Sequence, residues 1–282
     1  MHYKYFIAMN LDLSLSEQIC YSTIRIETQT NRGCCTGTGF FFNFLENPDN
    51  KTHIPCIVTN KHVVEEGVNG ILVITCKLPD NTEFMERIII PNFQQAWIYH
   101  PQSDVDLCIM PFQPIVELLK IQNKHPFYIP LTKSIIPTQS QLNDLSAMEE
   151  IVMVGYPDGI WDSVNNKPIL RRGITATHPK FNFEGKKKFL IDAACFPGSS
   201  GSPVLIVNQG GYVDKRGNLN WGHNRVFLLG ILHAGPQHTA QGTIKFANIP
   251  TTITSIPNNL GLVIKSEELM AFDAELQKIT KQ

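Results

Sequence analysis

A serine lies on a glycine-flanked turn between two apolar runs. Residues 189–195 predict a buried strand, 197–201 form the turn Pro-Gly-Ser-Ser-Gly, and 203–207 predict a second strand. This setting would hold the Ser200 hydroxyl rigidly with little bulk around it, as a nucleophile requires, and nearby backbone N–H groups could converge on a developing oxyanion. Turns rich in glycine and serine are also common between strands without any chemistry. The turn alone leaves a nucleophile and an ordinary β-turn as alternatives.

A nucleophilic serine at neutral pH needs a base and a carboxylate that orients the base. His62 directly follows an apolar run that ends at Thr59, and it stands at the start of a tight turn. Asp106 abuts the apolar run that follows it, so its carboxylate should be held and desolvated, whereas Asp104 should be wetter. We therefore predict His62 as the base and Asp106 as its partner, and we interpret Asp192 as structural.

The surrounding elements are predicted to be β-strands. Six short runs with β-branched or alternating composition lie before residue 113 and seven more lie between 149 and 265, with turn-rich joints and no long helix. This pattern is typical of an antiparallel barrel or sandwich. Residues 113–148 break the rhythm and are interpreted as a linker between two halves.

Helices are predicted near the two ends of the chain, residues 114–123 of the linker could form another, and residues 139–148 have a helix-tolerant composition. Ser14 and Glu17 form a capping box that opens a short helix. Residues 266–282 predict a helix with one apolar stripe, expected to pack on the body, made of Leu269, Phe272, Leu276 and Ile279. The predicted organisation is therefore an N-terminal segment (1–19), a first β unit (20–112), the linker (113–148), a second β unit (149–265) and a C-terminal helix (266–282).

Composition excludes several classes of protein. The chain has 282 residues, 43% of them hydrophobic, with 24 Lys and Arg against 25 Asp and Glu, so no broad charge points to nucleic acid or to a membrane. The seven cysteines, several inside apolar runs, fit a reducing cytosol rather than a disulfide framework. No zinc-ligand spacing, signal peptide or long apolar run is present. We therefore expect a cytoplasmic protein that uses no metal or cofactor.

Segments 59–64, 106–110 and 198–203 bring His, Asp and Ser in that order, preceded by Gly-Thr-Gly-Phe at 37–40. Together they resemble the chymotrypsin/trypsin-like serine peptidases over about residues 18–265. The closest likeness is to the bacterial branch, which includes HtrA-type proteases and glutamyl endopeptidases.

The resemblance implies an all-β fold of two six-stranded antiparallel β-barrels with the active site between them. It also implies that Ser200 is the nucleophile, His62 the general base and then acid, and Asp106 the residue that fixes the histidine tautomer. The backbone N–H groups of Gly198 and Ser200 would form the oxyanion hole. Ser199 departs from the animal digestive members, which carry an aspartate there that pairs with a new N-terminal amine. The site is thus either formed as synthesised or ordered by another group.

The resemblance also indicates a pocket for the substrate residue before the scissile bond, P1. By position, its lining residues are Ala194, Cys195, His233, Ala234, Gly235 and Lys245. If Lys245 points into the pocket, a buried positive charge favours cleavage after Glu or Asp. If Lys245 instead reaches solvent, small apolar residues are favoured. His233 lies one position away from the glutamyl endopeptidase pattern.

The leading hypothesis is an intracellular serine endopeptidase that acts through an acyl-enzyme on a protein or peptide substrate. Its restraint would come from narrow specificity or a regulatory partner, with an operon-encoded target protein as one option. The alternative is a catalytically silent or latent protease fold that binds peptides or partner proteins. An α/β-hydrolase esterase is excluded because His62 precedes the serine and the Gly-x-Ser-x-Gly spacing does not fit. No region of PDZ size is predicted after the second barrel, so HtrA-type gating by oligomers is not expected.

Overall fold

Two β units joined by a connecting segment make up the fold. The computed structural model describes residues 13–157, 160–234, 237–238, 256–257 and 259–280. The helices are short: α1 (Leu15–Cys20), α2 (Lys61–Val64), α3 (Gln113–Ile121), α4 (Gln139–Asp144) and α5 (Ala271–Thr280). Within the described ranges, 3-10 turns span Phe93–Ala96, Lys133–Ile135, Phe183–Gly185 and Ser266–Met270.

The first unit is an eight-stranded sheet. Its strands are β1 (Thr23–Thr30), β2 (Gly33–Asn47), β3 (Thr52–Thr59), β4 (Asn69–Lys77), β5 (Glu83–Pro91), β6 (Ile98–Tyr99), β7 (Cys108–Pro111) and β8 (His125–Pro126). They pair in the order β5-β4-β1-β2-β3-β7-β6, and β8 pairs with β4.

The family resemblance implies a closed six-stranded barrel in this unit, and the structure does not show one. Among the described residues the sheet is open, because its two end strands, β5 and β6, do not pair with each other. Strand β6 has only two residues, and both pair with β7. Strand β5 alternates between half-buried and exposed residues, as a strand with one face toward water does.

The second unit is a closed barrel of six strands. Its strands and the short hairpins beside it are β9 (Glu150–Gly155), β10 (Ile169–Thr175), β11 (Lys188–Asp192), β12 (Pro203–Asn208), β13 (Gly211–Val213), β14 (Leu219–Trp221), β15 (Arg225–Ala234), β16 (Gln237–His238), β17 (Ile256–Pro257) and β18 (Leu260–Lys265). The barrel closes in the order β10-β11-β18-β15-β12-β9, so the prediction of a six-stranded barrel is confirmed for this unit. The strand predicted over 243–248 lies outside the described residues.

The predicted helix signals are confirmed at both ends of the described chain. The Ser14 side chain accepts from the Glu17 backbone, and the Glu17 carboxylate accepts from the Ser14 backbone, which completes the capping box of α1. Phe272 and Leu276 of α5 are buried, whereas Ile279 is exposed. In the described part of the chain, no helix has the length and apolar character needed to cross a membrane.

One apolar cluster joins both units to the C-terminal helix. Strand β2 is buried on both faces, with Phe40, Phe42 and Phe44 in this shared cluster and Phe41 in the core of the first unit. The shared cluster also contains residues of the second barrel and of the C-terminal segment, including Leu205, Leu228, Leu269 and Phe272. The units are therefore held together by packing rather than by the chain connection alone.

Candidate active site

The turn after β3 is hydrogen-bonded to the loop that carries Asp106. Residues 60–62 begin α2, and each of the three makes a bond to that loop. Asn60 donates from Nδ2 to the Asp106 carbonyl oxygen (2.9 Å), and the buried Lys61 donates from Nζ to the Gln102 carbonyl oxygen (3.2 Å). A four-residue helix cannot be stable by itself. These contacts therefore hold the histidine-bearing turn in place.

His62 and Asp106 are hydrogen-bonded through both side chain and backbone. The His62 Nδ1 to Asp106 Oδ2 distance is 2.6 Å, and the His62 backbone N–H donates to Asp106 Oδ1 at 3.1 Å. The imidazole is 44% exposed and the carboxylate 17% exposed. Asp104 is exposed and does not contact His62. An ionised Asp106 requires the proton of neutral His62 on Nδ1, which leaves Nε2 as the basic atom.

A second imidazole shares the same carboxylate oxygen. His233, on β15, places Nδ1 at 2.7 Å from Asp106 Oδ2, and its ring lies 5.9 Å from the His62 ring at a steep angle. Burial opposes ionisation of Asp106, but the hydrogen bonds from His233 and His62 outweigh it and hold the pKa of this carboxyl well below its usual range. Sequence analysis put His233 in the pocket and missed this contact, for which the sequence carries no local signal.

Ser200 is presented on a loop that uses two glycines with positive φ. Gly198 has φ 81° and Gly201 has φ 86°, a region that L side chains avoid. The Ser200 hydroxyl donates to the His233 carbonyl oxygen at 3.3 Å. Within the described chain, Ser200 makes no hydrogen bond to His62. The structure thus brings His62, Asp106 and His233 into one bonded group, and Ser200 joins it through the backbone of His233.

Thr38 of β2 fastens this loop to the first unit. Its backbone N–H donates to the Ser200 carbonyl oxygen (2.9 Å), and its hydroxyl donates to the Gly198 carbonyl oxygen (2.9 Å). The same hydroxyl accepts from the Tyr156 backbone N–H at 3.0 Å. Sequence analysis did not assign Thr38 a role. The only signal for it was the Gly-Thr-Gly at 37–39, where glycines allow close approach.

The two expected oxyanion donors have no acceptor inside the described part of the chain. Neither the Gly198 nor the Ser200 backbone N–H donates a hydrogen bond to another described residue. Gly198 is buried and Ser200 is half-buried. Backbone donors in partly desolvated positions normally find partners. These two are therefore available to an oxygen from outside.

The predicted pocket residues are only partly described. Ala194 is half-buried, and the Cys195 thiol lies in the barrel core, where burial raises its pKa to about 11. Ala234 ends β15, but its side chain is outside the described residues, as are Gly235 and Lys245 altogether.

His62, Asp106 and His233 are also the residue types that bind metals. One ligand atom from each lies within 4.8 Å of the others. The nitrogen–oxygen separations of 2.6 and 2.7 Å are those of hydrogen bonds. Ligand atoms held about 2.0–2.1 Å from a tetrahedral zinc would be about 3.3 Å apart. The arrangement therefore fits a shared proton network better than a metal centre.

Comparison with solved structures finds similar folds at low sequence identity. The active form of the Rv3671c protease from M. tuberculosis is 16% identical, with 89% of this chain and 78% of that chain covered and a TM-score of 0.43. The serine endoprotease from Yersinia pestis is 13% identical, with 95% and 68% covered and a TM-score of 0.47. The HtrA-type protease AlgW with tripeptide is 15% identical, with 93% and 60% covered and a TM-score of 0.43, so this chain spans less than two thirds of that one.

Family membership rests on a comparison with family models. A comparison with curated proteins finds no match. The model of the trypsin-like peptidase domain matches residues 37–213, which is more than half of the 282-residue chain. The match includes Thr38, His62, Asp106 and Ser200. The chain therefore belongs to the trypsin-like peptidase domain family.

Proposed function

We propose that this protein is a serine endopeptidase that cleaves peptide bonds through an acyl-enzyme. The observation that carries the proposal is the 2.6 Å bond between His62 Nδ1 and Asp106 Oδ2, which His233 links to Ser200 on its glycine-flanked loop. That bond selects the tautomer whose Nε2 can accept the Ser200 proton. Family membership supports the same chemistry.

The catalytic cycle follows from these groups. Ser200 Oγ leaves the His233 carbonyl oxygen by rotating about χ1, gives its proton to His62 Nε2 and attacks the scissile carbonyl carbon. The imidazolium, stabilised by Asp106, then returns the proton to the leaving amine. A water molecule repeats the sequence on the acyl-enzyme, which restores free Ser200 and releases the second product.

The oxyanion of each tetrahedral intermediate needs donors that are already in place. The backbone N–H groups of Gly198 and Ser200, which donate to no other residue in the described part of the chain, support this role. Loss of one such donor typically lowers the rate by about 10²–10³. Thr38 holds the carbonyl groups of these same two residues, which restrains the peptide group that follows each donor.

Two finer features are part of the proposal. We infer a preference for Glu or Asp at P1, which rests on Lys245 by position, and a reducing, intracellular setting. The second is supported by the seven cysteines, all of them free and two of them, Cys34 and Cys35, exposed. A P1 peptide library checks the first: preference for Arg, Lys or Phe would rule out an acidic pocket.

The alternative is a latent or silent protease fold that binds a peptide or partner protein. The Ser200 hydroxyl bonded to the His233 carbonyl, rather than to His62, is the observation that favours it. Apo active sites often show such loose geometry and tighten only with substrate. The endopeptidase therefore remains the better-supported function.

Labelling with a fluorophosphonate separates the two functions. We expect the purified protein to be labelled, and Ser200→Ala and His62→Ala to lose labelling, because the probe needs both the hydroxyl and the base. The exposed His125→Ala is the matched control and should be labelled as the wild type is. Absence of labelling in the wild type would contradict the active peptidase and favour the latent fold.

A further inference from the structure

A single arginine reaches both ends of the segment that leads to Ser200. Successive side chains of a β-strand point to opposite faces, so Arg171 and Gly173 lie on the same face of β10. A Cβ on Gly173 would lie 2.4 Å from the Asp192 carbonyl oxygen and 2.7 Å from the Ala193 Cβ, so this face packs tightly against the chain before the loop. Arg171 then extends along that face and donates from Nη1 to the Ala194 carbonyl oxygen and from Nη2 to the Ser199 hydroxyl.

The two acceptor residues, Ala194 and Ser199, are five positions apart in sequence, and the turn of the loop lies between them. Ser199 is fully buried, and Ala194 and Arg171 are half-buried. The Phe196 ring, midway along the segment, lies 5.8 Å from the Arg171 guanidinium carbon. A guanidinium is planar and carries several donors in a fixed fork, so it can hold two acceptors at a set separation. An ammonium group cannot do this as a single point charge.

We propose that Arg171 is a positioning residue that keeps the oxyanion loop, residues 194–200, in its working shape. It acts through the Ala194 carbonyl oxygen and the Ser199 hydroxyl, neither of which is a reacting atom in the proposed mechanism. Thr38 holds Gly198 and Ser200 from the first unit, and Arg171 holds the same loop from the second. Thr38 and Arg171 therefore hold the loop from two sides, and at position 199 the Arg171 guanidinium bonds a neutral hydroxyl instead of forming an ion pair. This inference rests on the proposed peptidase function for its kinetic consequences but not for its structural ones.

A competing role for the same side chain is direct contact with an acidic substrate residue. The two roles differ in what they change. A positioning residue lowers kcat for every substrate, because the transition-state oxyanion is affected. A substrate-binding cation raises KM, and only for substrates with an acidic P1 residue.

The kinetic test uses neighbouring arginines on opposite faces of one strand. Arg172 is 74% exposed and pairs with the exposed Glu150, so Arg172→Ala is the matched control. We expect Arg171→Ala to lower kcat and the fluorophosphonate labelling rate by about 10²-fold, with KM changed less than about threefold. Arg171→Lys should be intermediate. Guanidinium chloride below denaturing concentrations should partly restore Arg171→Ala and leave Arg172→Ala unchanged.

Amide hydrogen exchange tests the inference without relying on activity. The peptide covering 194–202 should exchange faster in Arg171→Ala than in Arg172→Ala or the wild type. If the alanine variant does not fold, Arg171→Lys should show the same faster exchange. Unchanged exchange in that peptide would overturn the proposal. So would a loss confined to KM on acidic substrates. If the wild type does not react with the fluorophosphonate, the peptidase function fails, and the exchange result still decides the role of Arg171.

Discussion

Two imidazoles share one carboxylate oxygen in this site. His62 and His233 approach Asp106 Oδ2 at 2.6 and 2.7 Å, so the carboxylate is held from two sides rather than one. A carboxylate that accepts several hydrogen bonds is fixed in orientation, and its charge is retained. We infer that His233 orients Asp106, which in turn orients His62, the proposed base.

Replacement of His233 tests this arrangement. We expect His233→Ala to lower kcat/KM about tenfold, the equivalent of one lost hydrogen bond to a charged group. His233→Asn should stay close to the wild type, because the Asn amide nitrogen can occupy the place of Nδ1. Steady-state kinetics with His125→Ala as control measure both. Equal losses in the Ala and Asn variants would contradict a hydrogen-bonding role.

The lowered pKa of Asp106 gives the same variant a defined pH dependence. A carboxyl whose pKa is lower in the folded state than in the unfolded state stabilises the fold above its ordinary pKa, near 4, and loses that contribution as the pH falls through the folded value. We therefore expect wild type to have a larger free energy of unfolding than His233→Ala at neutral pH. That difference should shrink as the pH falls below about 4. Urea unfolding curves across this range check the sign.

At the scale of elements, the loop between β11 and β12 depends on close approach to β2. A Cβ on Gly201 would lie 2.0 Å from the Thr38 carbonyl oxygen and 2.5 Å from the Thr59 hydroxyl. Both contacts are with the first unit. The loop can reach its position only because residue 201 has no side chain.

Two glycines of equal conformation separate this packing effect from backbone strain. Gly201 has φ 86° and Gly217 has φ 84°, but nothing lies within 4 Å of a Cβ at Gly217. We expect Gly217→Ala to cost about 1–2 kcal/mol for the left-handed conformation alone. Gly201→Ala should cost about 1–3 kcal/mol more and lose fluorophosphonate labelling. Equal unfolding free energies for the two variants would show that the loop can move away from β2.

At the scale of the whole molecule, the C-terminal segment packs against both units. Phe272 is fully buried and packs on Phe44 and His100 of the first unit, with ring centroids 6.0 and 5.3 Å away. The buried Glu268, just before α5, is 2.7 Å from Lys187 Nζ in the second unit and 3.4 Å from His100 Nε2. One short segment therefore contacts both sides of the fold.

Truncation of Phe272 should affect both units at once. We expect Phe272→Ala to lower the free energy of unfolding by about 3–5 kcal/mol, because a large buried ring is lost from the shared core. Ile279→Ala, 52% exposed on the same helix, should change it little. Calorimetry should show a single transition at lower temperature. Two separate transitions in the wild type would contradict a shared core.

Local patterns in the sequence determined most of the elements and the identity of the candidate residues. Alternation and apolar runs predicted the strands of the second barrel, because side-chain period and burial are local properties of a strand. The capping box of α1 and the buried Phe272 and Leu276 of α5 were predictable for the same reason, whereas Ile279 of the predicted stripe is exposed. His62, Asp106 and Ser200 each stand beside a recognisable run, and their order pointed to the family.

Only the tertiary structure decided which groups meet. His233 contacts Asp106 across 127 positions of sequence, and Thr38 contacts Gly198 across 160. Arg171 is one of two adjacent arginines, and nothing in the local pattern says which one faces the loop. The open edge of the first sheet was equally hidden, because closure depends on whether two distant strands pair. Such contacts depend on strand register and the approach of elements, which a local pattern does not contain.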